Sequence, residues 1–246
     1  MTRRILIPVL AAALACPSFA QEASDGDLQT NLEMKLRGNP MLLNVSIRGT
    51  VRHKKARLEG TVRTLSQAWE AWEIASKILG VTEIDDALVI GTSGKNDTAL
   101  RAEVERRLAN IVRLMSSPPV VAVSGGTVTL SGTLADARHR FSARTATAGI
   151  EGVRAVVDDF TTEPVEDEKV QAGVDGLFGR RALVPIPGEI VARTKDGVVT
   201  LEGEVPRLFD RWQAERAVLG INGVRQVDNR LVLRSGPSIR VIDPSQ

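Results

Sequence analysis

The chain has 246 residues, of which 43% are apolar, 25% charged and 3% aromatic, and its formal net charge is +2. That balance excludes a membrane-embedded bundle, which carries far less charge, and a disordered chain, which carries far less apolar material. One Cys and two His leave almost no raw material for a Cys/His zinc site or a thiol–imidazole mechanism.

The chain opens with Arg3-Arg4, the apolar run Ile5 to Ala15, Pro17, and Ser18-Phe19-Ala20 ahead of Gln21-Glu22. These are the parts of a secretory signal peptide spanning residues 1–20. The apolar run is much shorter than the roughly 20 residues that cross a bilayer. Cleavage after Ala20 and release into the periplasm are the expectation. Lipoprotein processing at Cys16 is the alternative, but Ala13 stands where that signal has Leu and Pro17 follows the Cys. Cleavage would remove Arg3 and Arg4 and no acid, leaving the bases equal in number to the 30 acids. The slightly basic whole chain is therefore no nucleic-acid signal. Cleavage would also remove the only Cys, so packing alone, without disulfides, must stabilise the mature chain.

Beyond Gln21 the chain repeats itself. Leu58-Glu59-Gly60, Leu130-Ser131-Gly132 and Leu201-Glu202-Gly203 lie 72 and 71 residues apart, and twenty residues after each Gly comes Gly80-Val81, Gly152-Val153 or Gly223-Val224. Helical stripes of period four precede them: Leu28/Leu32/Leu36, Leu100/Val104/Leu108 and Val170/Val174/Phe178. The spacing predicts three units, 27–92, 97–162 and 166–234, and a tail at 235–246. Each unit opens with an amphipathic helix headed by an acid (Asp27, Asp97, Asp167). An alternating hairpin follows, clearest where Val121 and Val123 precede Gly125-Gly126 and then Val128 and Leu130. A second helix runs from about Leu65, Ala137 and Leu208, with Pro206 suited to its first turn in the third unit. Gly80, Gly152 and Gly223 are placed as left-handed terminators of that helix. A closing strand completes the unit. Gly60, Gly132 and Gly203 are expected to end equivalent strands. The fold class is α+β, each unit helix-strand-strand-helix-strand with two helices packed on a small mixed sheet.

The strand ends Val128-Thr129-Leu130-Ser131-Gly132 and Val199-Thr200-Leu201-Glu202-Gly203, the Ala-rich second helix and the Gly-Val before a closing strand resemble the BON domain, named for bacterial osmotically induced and nodulation proteins. The resemblance covers Asp27 to Arg234. The first unit departs from it where Lys54 stands in place of Gly126 and Gly197. The resemblance implies a non-enzymatic cell-envelope role, with phospholipid binding and a link to osmotic or envelope stress.

No catalytic constellation converges in the sequence, and no cofactor or metal is expected. His53 and His139 have no counterparts in the sister units. The acids Asp85-Asp86, Asp158-Asp159 and Asp228-Asn229 recur, but neighbours on a strand point to opposite faces, which suits edge protection or turn chemistry better than chelation. Two features remain as binding candidates. Arg48, Arg52, Lys54, Lys55 and Arg57 gather positive charge around the first hairpin beside His53, fitting either lipid phosphates or a solvated turn. On the second helix Ala71, Ile74 and Ile78, with Ala143, Ala146 and Ile150 and with Ala214, Ala217 and Ile221, form one face. Trp69, Phe141 and Trp212 share one position on the opposite side, with Leu65 and Trp72 beside Trp69, and Leu208 and Leu219 beside Trp212. They fit either a packed joint or insertion at a lipid interface. The resulting expectation is a periplasmic protein docking on anionic phospholipid. A chaperone or interaction module holding clients or envelope proteins during osmotic stress is the alternative.

Overall fold

The computed structural model describes residues 23–109, 119–178 and 186–234; the expected signal segment 1–20 with Cys16 and the tail 235–246 lie outside them. The first unit comprises α1 (Asp25–Arg37), a 3-10 turn (Pro40–Leu42), β1 (Ser46–Arg52), β2 (Lys55–Val62), α2 (Leu65–Ser76) and β3 (Glu83–Ile90). The second comprises α3 (Asp97–Ala109), β4 (Val120–Ser124), β5 (Thr127–Leu134), α4 (His139–Ala148) and β6 (Ala155–Thr162). The third comprises α5 (Asp167–Phe178), β7 (Glu189–Lys195), β8 (Val198–Val205), α6 (Leu208–Leu219) and a closing strand in two pieces, β9 (Gln226–Asn229) and β10 (Val232–Leu233).

In every unit the middle strand pairs antiparallel with the strand before it and parallel with the closing strand. The parallel register is the same in all three: Lys55 faces Glu83, Thr127 faces Ala155, and Val198 faces Gln226. Alternation places Ala56, Leu58 and Val62 on the buried face, as it does Val128, Leu130 and Leu134, and Val199, Leu201 and Val205. The first helix covers that face with residues four apart, Leu28, Leu32 and Leu36 in α1 and Leu100, Val104 and Leu108 in α3. The second helix comes close to the sheet because the contact residues Ala71, Ala143 and Ala214 are small and fully buried. Each buried Leu or Val contributes about 1.5–3 kcal/mol relative to exposure.

All three hairpins turn through two residues with positive φ: His53 and Lys54 (51° and 62°), Gly125 and Gly126 (56° and 81°), Asp196 and Gly197 (53° and 71°). This is the mirror-image turn whose twist matches that of the flanking strands. Lys54 thus keeps the geometry of its glycine counterparts in a conformation that disfavours a side chain. One carboxylate at the start of each first helix holds the turn by accepting both of its backbone N–H groups. Asp25 accepts from His53 and Lys54 (2.6 and 3.0 Å), Asp97 from Gly125 and Gly126 (2.8 and 3.1 Å), and Asp167 from Asp196 and Gly197 (2.6 and 2.9 Å). The counterpart of Asp97 and Asp167 is therefore Asp25. Asp27 instead closes a capping box with Ser24, accepting from the Ser24 N–H while its own N–H donates to Ser24 Oγ.

Three other expectations are corrected. Gly60, Gly132 and Gly203 do not end their strands, which continue for two residues to Val62, Leu134 and Val205. At Gly60 and Gly203 a side chain would collide with the carbonyl oxygens of Ser46 and Glu189 at the start of the neighbouring strand. The second helices end earlier than Gly80, Gly152 and Gly223, on right-handed cap residues Lys77, Gly149 and Gly220. The later glycines lie three residues on with φ of 102°, 99° and 90°. There the loop passes against the start of the first helix: a Cβ on Gly80 would lie 3.2 Å from Leu28, and one on Gly223 would lie 2.9 Å from Val170. The recurring acids align differently as well. Asp86, Asp158 and Asn229 are the equivalents, opposite Leu58, Leu130 and Leu201. Each side-chain oxygen accepts the backbone N–H two residues on, from Leu88, Phe160 and Leu231 (3.1, 3.2 and 3.3 Å).

Candidate functional site

The basic hairpin of the first unit lies on the sheet face that carries no helix. Register puts Arg48, Arg52, Lys55 and Arg57 on that face together with Glu59, Glu83 and Asp85. The acids neutralise half of the cations. Lys55 Nζ lies 2.6 Å from Glu83, and Arg57 reaches both Glu59 and Asp85 at 2.5 Å. The hydrogen bond to Glu83 raises the Lys55 pKa, and those to Glu59 and then Asp85 raise that of Arg57. Arg48 and Arg52, on the outer strand β1, are exposed and have no carboxylate partner among the described residues. At the turn the carboxylate of Asp25 lies against the Lys54 and His53 backbone, and those two N–H groups hold its pKa below the usual carboxylate value. The tip is therefore less cationic than its run of bases suggests, and its unneutralised charge sits on β1.

The chain enters β1 through Met41-Leu42-Leu43. Leu42 is buried there, while Met41 and Leu43 are 50% and 67% exposed. Sequence reasoning missed these residues because they sit in a connection without periodicity. The signal that could have found them is two large apolar side chains in a short loop beside Pro40.

The tryptophans are half-buried and face sister units. The Trp69 ring lies under the Arg144 guanidinium at 5.4 Å, Phe141 lies under Arg216 at 4.8 Å, and Trp212 meets Trp72 edge-on at 5.8 Å. One position of the second helix thus contacts the second helix of the next unit, in the order first to second, second to third, third to first. Leu65 packs into the core of the second unit and Leu208 against that of the first. Polar contacts follow the same order. Arg63 pairs with Glu151 at 2.7 Å, and Asn222 bridges to the Ala137 N–H and the Ala135 carbonyl at 2.7 and 3.1 Å. Lys77 lies over the Phe209 ring at 4.6 Å where the third unit meets the first. Such a head-to-tail interface used three times closes on itself. Of the two fits that the aromatic positions allow, the geometry is that of a packed joint.

His53 is exposed at the first turn, whereas His139 begins α4 in another unit. Among the described residues no group of three or more His, Cys, Asp or Glu is placed to hold a metal ion, and no helix is long and apolar enough to cross a membrane. One buried charge pair stands out. Arg140 donates to the Phe160 carbonyl at 3.1 Å and lies 3.8 Å from Asp158, beneath α4 in the second unit.

The family model of the BON domain matches this chain three times, at residues 24–92, 96–164 and 167–235. Osmotically-inducible protein Y of Escherichia coli (strain K12) is 30% identical over 119 residues, which covers 45% of this chain and 58% of that protein. The chain thus spans little more than half the length of this curated relative. Two solved structures of CdsD, a structural protein of the type III secretion system of Chlamydia trachomatis, align at 17% identity with TM-scores of 0.23 and 0.24. They cover 87% and 85% of this chain and 100% and 93% of their own lengths. With three family matches falling on three units of one topology, the chain belongs to the BON domain family.

Proposed function

We propose that this is an exported, non-enzymatic protein of the periplasm, linked to osmotic stress, that docks on anionic phospholipid surfaces through the outer edge of its first unit. Similarity to osmotically-inducible protein Y supports the link to osmotic stress, and residues 1–20 support export. The observation that carries lipid docking is that Arg48 and Arg52 face solvent on the outer strand without a carboxylate partner within ion-pair distance among the described residues. Cations on that edge attract the anionic headgroups. Lys55 and Arg57 contribute less, because Glu83, Glu59 and Asp85 already hold them. Trp69, Trp72 and Trp212 serve the joints between units.

Co-flotation with vesicles tests the reading. The protein should float with vesicles containing phosphatidylglycerol and stay behind with phosphatidylcholine alone. Each basic side chain near the surface contributes about 1 kcal/mol, so Arg48→Ala with Arg52→Ala should weaken binding by roughly 30-fold. Unchanged binding of that double variant, or wild-type binding that ignores lipid charge, would overturn the proposal.

A further inference from the structure

The three joints use equivalent positions but are not held alike. The chain itself crosses two of them, through residues 91–96 between the first and second units and residues 163–166 between the second and third. The third joint, where the third unit meets the first, has no covalent connection. Polar contacts divide in the same way. At the second joint Asn222 bridges the Ala137 N–H and the Ala135 carbonyl, and the Gly223 N–H donates to Thr162 Oγ1 at 2.9 Å. At the first, Arg63 meets Glu151 in an ion pair whose side chains are 65% and 45% exposed, a kind that contributes little. Among the described residues no hydrogen bond or ion pair crosses the third joint. Leu79 stands there in place of Glu151 and Asn222, and is 66% exposed. What holds that joint is Leu208 packed on the first unit, Trp212 edge-on to Trp72, and Lys77 over the Phe209 ring. The two connections also differ. Residues 163–166 include Pro164, whose φ is fixed, and pack Val165 against the core of the third unit. Residues 91–96 are longer, and Gly94 among them has a φ of 69° with open space where a side chain would lie.

We propose that the third joint is a gate: the first unit swings away from the third, pivoting on residues 91–96, while the second and third units stay docked. The second joint moves only if its directional hydrogen bonds break. Apolar contacts carry no such direction, so elements joined by them slide or part as bodies. The first joint keeps Leu65 and Trp69 against the second unit and serves as the pivot. The third, with neither chain nor hydrogen bond across it among the described residues, is where the closed arrangement parts. Burial of Trp72, Phe209 and Trp212 keeps the closed state in the majority. Opening uncovers those rings and carries the basic edge of β1 away from the third unit.

The test is single-molecule energy transfer on the full chain in the absence of lipid, so its outcome does not depend on the proposed docking. Thr30, Ala102 and Ala172 are exposed and occupy equivalent positions on α1, α3 and α5. In a Cys16→Ser background, dyes are attached through Thr30→Cys with Ala172→Cys, which reports the third joint, or through Ala102→Cys with Ala172→Cys, which reports the second. The first pair is expected to show a low-transfer population of roughly 1–10% of molecules, and the second pair a single high-transfer population. Leu208→Ala removes packing at the third joint and should enlarge the low-transfer population at least threefold. Leu79→Asn places an amide where Asn222 stands at the second joint, opposite the Leu208 N–H and the Pro206 carbonyl, and should shrink it at least threefold. Because Leu79 is mostly exposed, this variant keeps its fold, which circular dichroism verifies. Absence of the low-transfer population from the first pair would overturn the proposal. An equally large one in the second pair, or no response to Leu79→Asn, would overturn it as well.

Discussion

Replacing Asp97 by Ala removes the carboxylate that holds the second hairpin turn. Its two oxygens accept the Gly125 and Gly126 N–H groups at 2.8 and 3.1 Å. A hydrogen bond to a charged group contributes about 1.5–3 kcal/mol net. Gly125 is exposed, so water would replace its partner, whereas Gly126 is buried and would lose more. The low end for the first bond and the middle of the range for the second give a destabilisation of about 3–4 kcal/mol. For a body of this size, each kcal/mol lowers the thermal midpoint by about 2–4 °C, so Asp97→Ala should lower it by roughly 6–16 °C. Asp97→Asn retains one acceptor oxygen and should fall about halfway. Scanning calorimetry measures the shift, and amide hydrogen exchange at Gly125 and Gly126 locates it. A shift below about 2 °C, or unchanged exchange at both glycines, would refute the account of how the first helix fixes the hairpin.

The same turn in the first unit holds Lys54 at a φ of 62°. A non-glycine residue there costs about 1–2 kcal/mol, partly offset by the greater unfolded-state freedom of glycine, so Lys54→Gly should raise the thermal midpoint by a few degrees. Removing Arg140 takes away the cation facing Asp158, which keeps the Phe160 N–H, and the hydrogen bond to the Phe160 carbonyl, a loss of about 1–3 kcal/mol. Arg140→Ala should therefore lower urea stability by that amount, and adding Asp158→Asn should recover part of it. The Arg138 side chain holds Asp136 at a pKa of about 2, against an ordinary value of 3.8. Its contribution to stability is complete above the ordinary value and is lost as pH falls through about 2. Carboxyl NMR should give that midpoint, and a midpoint near 3.8 would contradict the pairing.

Much of the fold is legible in the sequence because its signals are local and occur three times. The period-four stripes, the alternating hairpins and the glycine spacings specify each unit's order of elements. The errors arise where a residue's role depends on a distant partner. Asp27 lies nearest to a helix N-terminus by spacing, but Asp25 is the residue that reaches the turn, 28 and 29 positions along the chain. Gly80 has the conformational freedom of a helix terminator, but its φ of 102° belongs to the loop three residues beyond the Lys77 cap, where the chain passes against Leu28. The basic hairpin looks like five cations in a row. The acids that neutralise Lys55 and Arg57 stand partly on β3, in a parallel register that only the fold reveals. The scarcity of charge on the helix-free face of the second unit, where Asp159 is the one charged residue at the paired positions, is hidden for the same reason: its members come from three strands and become neighbours only through pairing. The helix aromatics were legible as a second apolar side, whereas their partners on the next unit were not.

In the proposed function the tryptophans hold the three units together, while the outer edge of the first unit meets lipid. The chain's three Trp all lie at the joints, which makes intrinsic fluorescence a direct probe. The decisive measurement compares tryptophan emission with vesicles of ordinary and of acyl-chain-brominated phosphatidylglycerol, on samples whose co-flotation is verified. Binding with emission unaffected by bromine is the predicted result. Binding with strong quenching would place Trp69, Trp72 or Trp212 in the bilayer and contradict the closed arrangement.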